Sequence, residues 1–213
     1  MLDSNKLSLS TIAEKACDIE INKLQKPIGK QDQYFAAYGG LKSFTFKKND
    51  VIVNEVKCSK ETYNNLQNSL FLVYTGITRS ADEVLHEQKI NTESKADTQN
   101  AILKMVNLAK CLQKELENDD VSNLGFLLDE AWSIKKTYAN SISNSTVDEL
   151  YSYGKANGAD GGKLLGAGGG GFLLFYVSEK NRQKFLTRMT NNKILPVKFS
   201  DAGCEVIFKQ SDL

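Results

Sequence analysis

A glycine-rich segment carries the clearest chemical signal in this sequence. Residues 158–171 read GADGGKLLGAGGGG and contain eight of the 15 glycines in the chain. Glycine loses more conformational freedom on folding than any other residue, so such a cluster is typical of backbone that turns with positive φ or approaches another group closely. A phosphate held by backbone N–H groups is the commonest such group. We therefore expect a phosphate-binding loop that includes Gly166, Gly168, Gly169 and Gly170.

Two familiar phosphate motifs do not fit this segment. Gly166, Gly168 and Gly171 match the glycine spacing of the dinucleotide fingerprint, but that motif needs a strand before the loop and a helix after it. Here the apolar run after Gly171 predicts a strand instead. The P-loop pattern fails because Leu164 follows the Gly-Lys pair where Ser or Thr is required. A plain turn would explain a glycine pair, but four consecutive glycines exceed what a turn needs.

Asp32 is the candidate carboxylate for chemistry. In phosphoryl transfer the protein mainly positions groups and stabilises charge, while a carboxylate orients or deprotonates the attacking hydroxyl. The alternative is structural, because Asp is a favoured N-cap and a short helix is predicted near residues 33–38. The two roles do not exclude each other.

Three further side chains could contact an anion. Thr75 lies near the end of a predicted strand, and Arg79 lies between that strand and a predicted helix, where backbone N–H groups and the helix dipole favour negative charge. Arg79 could bind a phosphate through two parallel hydrogen bonds, or it could simply be solvated beside a helix cap. Lys163 precedes the glycine loop and could reach a phosphate or substrate oxygen, although a surface lysine is the alternative.

Two segments together resemble a known family. Lys163–Phe172, KLLGAGGGGF, resembles the third motif of the GHMP small-molecule kinases, which include galactokinase, homoserine kinase and mevalonate kinase. Gly29–Tyr34, GKQDQY, resembles the G-x-x-D-Q segment that carries the catalytic aspartate of that family. Within the family the similarity is strongest to D-glycero-D-manno-heptose 7-phosphate kinases, through AAYGGL at 36–41 and YTGITRSA at 74–81. The resemblance extends over nearly the whole chain.

The resemblance implies a sugar kinase that uses ATP and Mg²⁺ to phosphorylate the anomeric hydroxyl of a heptose 7-phosphate. It favours catalysis over capping for Asp32 and assigns the loop glycines to the nucleotide phosphates. It assigns no metal ligand. It also implies substrate-binding roles for Gln33, Thr75, Arg79 and Lys163.

The family's ATP loop, of the type P-x-x-x-G-L-G-S-S, has no counterpart in residues 1–26. We therefore expect the chain to be the C-terminal part of such a kinase, whose activity needs the N-terminal segment in cis or as a separate kinase fragment. Two alternatives remain open. One is an inactive remnant or a sugar-phosphate-binding module, and the other is a different GHMP kinase, such as a fucokinase-like or mevalonate-pathway enzyme.

Composition indicates an ordinary cytoplasmic protein. The 27 basic and 26 acidic residues give a net charge of +1, so no basic surface argues for nucleic acid. The longest apolar run, Phe172–Val177, is far shorter than the roughly 20 residues that span a bilayer, and no signal peptide is evident. The four cysteines lack C-x-x-C spacing, which predicts reduced thiols rather than a zinc site. The single histidine, His86, argues against histidine-based chemistry.

The elements that must position these residues predict an α+β fold. Residues 1–60 are interpreted as the remnant of an N-terminal domain, and 61–213 as the C-terminal domain of the kinase. The resemblance implies a ferredoxin-like antiparallel sheet covered by helices. Predicted strands are 43–46, 51–53, 69–76, 171–177, 193–199 and 204–208, and predicted helices begin at the Ser8–Thr11 cap and cover 33–38, 80–90, 95–117, 121–138, 145–157 and 179–190.

Overall fold

A computed structural model describes residues 7–207 of the chain, which form two compact units. The first unit comprises residues up to Val56 together with the stretch from Phe199 onward. The second unit is the continuous segment Lys57–Lys198. The alternation of helices with antiparallel strands confirms the predicted α+β class.

The first unit begins with a capped helix, as its hydroxyl-rich start predicts. The helix α1 covers Leu9–Cys17, and Ser8 Oγ accepts a hydrogen bond from Thr11 N at 3.1 Å. The α-helix does not continue to Leu24, because a π-helical turn follows at Asp18–Lys23. Leu24, which follows the π turn, is 60% exposed.

A second helix and a hairpin complete this part of the unit. Helix α2 covers Gln31–Tyr38, and strands β1 (Lys42–Phe46) and β2 (Val51–Glu55) pair antiparallel. The predicted hairpin is therefore confirmed. An aromatic cluster joins α2 to the hairpin, since the Tyr34 ring lies 6.0 Å from Phe44 in an edge-to-face arrangement.

The stretch 199–207 returns to the first unit. Gly40 N donates to Ser200 O at 2.9 Å, and Cys204 N donates to Ala37 O at 3.1 Å. The predicted last strand, 204–208, is wrong for residues 204–207, which form no strand, and Phe208 lies outside the described residues. Contacts with the end of α2 take the place of the expected strand pairing.

The second unit is built on a four-stranded antiparallel sheet in the order β4-β5-β3-β6. The central strands β3 and β5 read LFLVY and FLLFY, and Leu72 pairs with Leu174. Both central strands are apolar, and each contains three buried residues of five. The strands are β3 (Leu70–Tyr74), β4 (Gly161–Leu164), β5 (Phe172–Tyr176) and β6 (Ile194–Pro196).

Helices bury one face of this sheet. Trp132, Phe175 and Phe185 are each at most 1% exposed in a single apolar core. Helix α6 approaches β4 so closely that a Cβ on Gly161 would overlap the backbone carbonyl of Gly125. The helices are α3 (Lys60–Asn68), α4 (Ala81–Ser94), α5 (Ala96–Glu117), α6 (Leu124–Lys136), α7 (Ser145–Ala156) and α8 (Glu179–Arg188).

Two elements of this unit differ from the sequence predictions. Strand β4 lies inside the glycine-rich segment, where we predicted loop, and helix α3 was not predicted. Strand β6 is shorter than the predicted 193–199, because the chain leaves the sheet after Pro196 and enters the first unit at Phe199.

Candidate functional site

The glycine loop, residues 165–171, connects the neighbouring strands β4 and β5. Leu165 N donates to Phe172 O at 2.9 Å, which closes the loop at its base. The loop is therefore a hairpin connection with a strand on each side, and this geometry excludes the strand-loop-helix dinucleotide motif. The sequence prediction of a strand after the loop is confirmed.

Side chains from four different elements hold the carbonyl groups of the loop. The donors lie at the end of β3, on α4, near the end of α6 and at the start of α7. The bonds are Thr75 Oγ1 to Gly171 O at 2.9 Å, Gln88 Nε2 to Ala167 O at 2.8 Å, Lys135 Nζ to Gly166 O at 2.5 Å and Asn144 Nδ2 to Gly169 O at 2.9 Å. These bonds fix the peptide orientations of the loop.

A short 3₁₀ turn, Asn140–Ile142, is hydrogen-bonded to the loop. Gly169 N donates to Ile142 O at 2.8 Å. The turn is itself held by Glu87 of α4, whose carboxylate accepts from Asn140 N at 2.9 Å and from the hydroxyl of Ser141. The hydrogen bond from Ser141 is the main reason that the pKa of Glu87 lies below its usual range. Glu87 therefore positions the loop through the turn.

The remaining loop N–H groups are available to a ligand. Within residues 7–207, the N–H groups of Gly166, Ala167, Gly168 and Gly170 have no hydrogen-bond acceptor. Because the carbonyls are bonded on the protein side, these donors can act together on an anion, as in other backbone anion sites. Of the four loop glycines predicted to approach phosphate, Gly166, Gly168 and Gly170 have unbonded N–H groups within the described residues.

Gly168 shows why this loop needs glycine. Its φ is +131°, and a Cβ there would lie 2.8 Å from Ile142 Cα. Real Cβ contacts of that kind do not occur without movement of the backbone. The requirement for glycine here comes from the supporting turn as well as from backbone conformation.

Thr75 and Arg79 both lie beside the glycine loop. Thr75 is buried, and its hydroxyl donates to Gly171 O and accepts from Ile77 N at 3.3 Å. Arg79 pairs with Glu83 at 3.2 Å, and its side chain lies against the position that a Cβ on Gly169 would take. Their assignment to substrate binding stays a prediction, and the bonds of Thr75 show a structural role beside it.

Two lysines close in sequence or in contact with the start of the loop have lowered pKa values. Lys163 projects from β4, and Lys135 reaches Gly166 from the last turn of α6. Burial, together with the positive charge of Lys163, lowers the pKa of Lys135 to about 8. Burial also lowers the pKa of Lys163. Sequence reasoning missed Lys135, since a lysine in the last turn of a helix is ordinarily explained by the helix dipole.

Asp32 and Gln33 belong to the first unit. Helix α2 begins at Gln31 with Lys30 as N-cap, so the capping interpretation of Asp32 is wrong, and Asp32 lies exposed in the first helical turn. Gln33 is buried, and its amide donates to Glu20 Oε1 at 2.8 Å. The catalytic role of Asp32 and the substrate contact of Gln33 stay predictions.

The described residues provide no dedicated metal cage. Among residues 7–207 there is no group of three or more His, Cys, Asp or Glu side chains placed to share a metal ion. Mg²⁺ in kinases is usually held by one or two carboxylates and by the substrate phosphates, so a site for it does not require a group of three such side chains. All four cysteines are free thiols. No helix in the described part of the chain is long and apolar enough to cross a bilayer.

Comparison with known proteins identifies the family that the chain resembles. Residues 112–194 match the family model described as GHMP kinases C terminal. The chain is 31% identical over 178 residues to the D-glycero-alpha-D-manno-heptose 7-phosphate kinase of Campylobacter jejuni, a match that covers 82% of this chain and 52% of that protein. It is also 31% identical over 162 residues to the bifunctional fucokinase/GDP-fucose pyrophosphorylase of Arabidopsis thaliana, covering 74% of this chain and 15% of that protein.

Solved structures that resemble this fold include sugar kinases of the same kind. A crystal structure of a D-glycero-D-manno-heptose 1-phosphate kinase from Bacteroides thetaiotaomicron aligns with a TM-score of 0.62 at 27% identity, over 94% of this chain and 55% of that one. The chain thus spans about half the length of the heptose kinases that it matches. Family model, sequence identity and fold together place the chain in the GHMP kinase superfamily, where it resembles the C-terminal part of the sugar kinases.

Proposed function

We propose that this chain is the C-terminal part of an ATP-dependent sugar kinase that phosphorylates the anomeric hydroxyl of a heptose 7-phosphate. The observation that carries the proposal is the glycine loop, whose carbonyls are bonded to the protein while the N–H groups of Gly166, Ala167, Gly168 and Gly170 remain unbonded within residues 7–207. Such a loop suits an anionic phosphate. The heptose substrate is proposed from the similarity to the heptose kinase of Campylobacter jejuni.

The loop would contribute by placing fixed donors against a phosphate. ATP would supply the transferred phosphoryl group. Because the loop peptides are already oriented by Thr75, Gln88, Lys135 and Asn144, the donors need no reorganisation when negative charge develops. Mg²⁺ would be held chiefly by the phosphates of ATP, and it would supply positive charge to them.

Asp32 would act on the attacking hydroxyl. An anomeric hydroxyl is more acidic than an ordinary alcohol, so a carboxylate can serve as a weak acceptor while charge leaves the oxygen. The exposed position of Asp32 in the first turn of α2 leaves its carboxylate accessible. Phosphoryl transfer depends mostly on positioning and charge stabilisation, so strong base chemistry is not needed.

The test is ATP-dependent phosphorylation of D-glycero-D-manno-heptose 7-phosphate by this chain, alone and mixed with an N-terminal fragment of a heptose kinase. Asp32→Asn is the informative variant. Asp18→Asn is a matched control, because Asp18 is also an exposed acidic residue in the first turn of a helical segment of the same unit. We expect turnover in the mixture with the N-terminal fragment. This turnover should be lost with Asp32→Asn and kept with Asp18→Asn.

Three other results would each redirect the proposal. Sugar-phosphate binding without turnover in either arm would identify a binding module. Turnover of fucose or of an isoprenoid alcohol in preference to the heptose would identify another GHMP kinase. Equal turnover in the two aspartate variants would remove Asp32 from the mechanism.

A further inference from the structure

Asn144 joins the start of α7 to the glycine loop. Its side-chain oxygen, Oδ1, accepts a hydrogen bond from Val147 N at 3.1 Å and thereby caps the helix. Its side-chain nitrogen, Nδ2, donates to Gly169 O at 2.9 Å. A backbone N–H needs an acceptor and a carbonyl needs a donor, so the two partners define the orientation of the amide. One side chain thus serves both the helix and the loop.

Gly169 is attached to the segment before α7 at two points. Its N–H donates to Ile142 O at 2.8 Å, and its carbonyl accepts from Asn144. The first bond holds the peptide that precedes Gly169, and the second holds the peptide that follows it. Within residues 7–207, the bond from Asn144 is the only hydrogen bond on that second peptide. The two attachments are therefore not interchangeable.

The peptide between Gly169 and Gly170 has little conformational preference of its own. Glycine has no Cβ and adopts a wide range of φ and ψ, so a peptide with glycine on both sides can rotate about its flanking bonds. Side-chain sterics of the two residues cannot restrain it. The orientation of this peptide therefore depends on the hydrogen bond from Asn144.

The bond from Asn144 also determines where the Gly170 N–H points. A trans peptide is planar, and its N–H is directed opposite to its carbonyl. All peptide bonds in the described part of the chain are trans. Since the Gly169 carbonyl faces Asn144, the Gly170 N–H faces the other way, where it has no acceptor among residues 7–207. An N–H held in this direction is available to an anion.

We propose that Asn144 is a positioning residue that keeps the Gly170 N–H directed at a bound phosphate. The inference rests on the proposed function for the identity of the anion, and it adds a residue outside the loop on which phosphate affinity depends. This role is separable from capping, because the cap uses Oδ1 and the loop uses Nδ2.

Two substitutions of Asn144 separate the roles. Asn144→Ser keeps a favoured N-cap residue but removes the amide donor, whereas Asn144→Ala removes the cap as well. We expect both variants to weaken the binding of inorganic phosphate to the same extent, by about three- to tenfold. Asn144→Ala should in addition unfold at a lower urea concentration than Asn144→Ser.

Asn123→Ser is the matched control. Asn123 is the N-cap residue of α6 in the same unit, and its side chain bonds to Glu115 Oε1 at 3.1 Å rather than to the loop. The control therefore makes the same substitution at the same position of another helix. We expect it to leave phosphate affinity unchanged.

Phosphate binding is followed by NMR through the amide resonance of Gly170, in the isotope-labelled full chain at pH 7. Fluorescence of Trp132, which is buried in the core of the second unit, confirms that each variant is folded under the conditions of the titration. A merely structural role of Asn144 would lower the urea midpoint and leave the phosphate affinity of the folded protein unchanged.

Each other outcome would reject the inference. Equal phosphate affinity in the unaltered protein and in both Asn144 variants would do so while the proposed function stands. A larger loss of affinity in Asn144→Ala than in Asn144→Ser would assign the effect to the helix cap. A Gly170 amide that does not respond to phosphate in the unaltered protein would show that this N–H binds no anion, and the kinase assay with the N-terminal fragment would then decide the proposed function separately.

Discussion

Adding a methyl group to the glycine loop should cost much more at Gly168 than at Gly166. Both residues have positive φ, +131° and +69°, so alanine is strained at either position. A Cβ on Gly168 would lie 2.8 Å from Ile142 Cα and 2.9 Å from Ile142 O, whereas a Cβ on Gly166 would meet no described atom within 4 Å. Gly168→Ala and Gly166→Ala thus form a matched pair that differs mainly in the contact with Ile142.

The magnitude follows from these contacts. Positive φ in a non-glycine residue costs about 1–3 kcal/mol, and alanine regains about 0.4–1 kcal/mol because its unfolded chain is less flexible than that of glycine. Gly166→Ala should therefore lower the free energy of unfolding by about 1 kcal/mol. Overpacking against the fully buried Ile142 adds about 1–3 kcal/mol for Gly168→Ala. The expected difference is about 2 kcal/mol, roughly thirtyfold in the folding equilibrium.

Trp132 gives a readout specific to the second unit. It is the single tryptophan of the chain and is 1% exposed in the core of that unit. Urea unfolding followed by tryptophan fluorescence should give Gly168→Ala a clearly lower midpoint concentration than Gly166→Ala. In thermal unfolding the two variants should differ in Tm by about 4–8 °C. Equal unfolding midpoints for the two variants would refute the steric reasoning.

Three further perturbations test contacts within the second unit. Glu87→Gln should lower the free energy of unfolding by about 1–3 kcal/mol at pH 7, because a carboxylate that accepts several hydrogen bonds is lost. The bond from Ser141 lowers the pKa of Glu87, so this stabilisation is complete above the ordinary pKa of about 4.3 and is lost as the pH falls through the folded-state value. The urea midpoints of the unaltered protein and of Glu87→Gln should therefore converge in acid. A difference between the two midpoints that does not change with pH would contradict this account. Lys135, with its pKa lowered to about 8, should make the unit more stable as the pH rises from 8 to about 10.4, since the folded protein releases its proton first; Lys135→Met should remove that part of the rise. Gly161→Ala should prevent folding of the unit, because its Cβ would overlap the Gly125 carbonyl, and cooperative unfolding of this variant by tryptophan fluorescence would show that the helix can move aside.

The sequence was most informative where one local interaction defines an element. Ser8 accepts from Thr11 N as the hydroxyl-rich start predicts, and the hairpin lies where alternating residues flank a polar turn. The interpretation of Asp32 as an N-cap was wrong by two positions, because α2 begins at Gln31. Lys30 makes no side-chain capping bond, so local capping rules alone would not place the helix start there.

Elements fixed by distant contacts were missed. Strand β4 includes two glycines with weak strand propensity, but α6 approaches so closely that only glycine fits at Gly161. Helix α3 is polar, and only Thr62 and Leu66 are buried, so its apolar periodicity is weak, although Ser59 caps it. The hydrogen bond from Lys135 to the carbonyl of Gly166 was missed for the same reason, because nothing near Lys135 in sequence indicates this contact. Such contacts require knowledge of the fold.

The return of residues 199–207 to the first unit has a consequence for synthesis of the chain. The bond from Cys204 N to Ala37 O joins segments that are separated by the entire second unit. As the polypeptide leaves the ribosome from its N-terminus, the continuous segment 57–198 can fold as soon as it has emerged. The first unit can complete its backbone contacts only after residues 199–207 have also emerged, so it is expected to finish folding after the second unit.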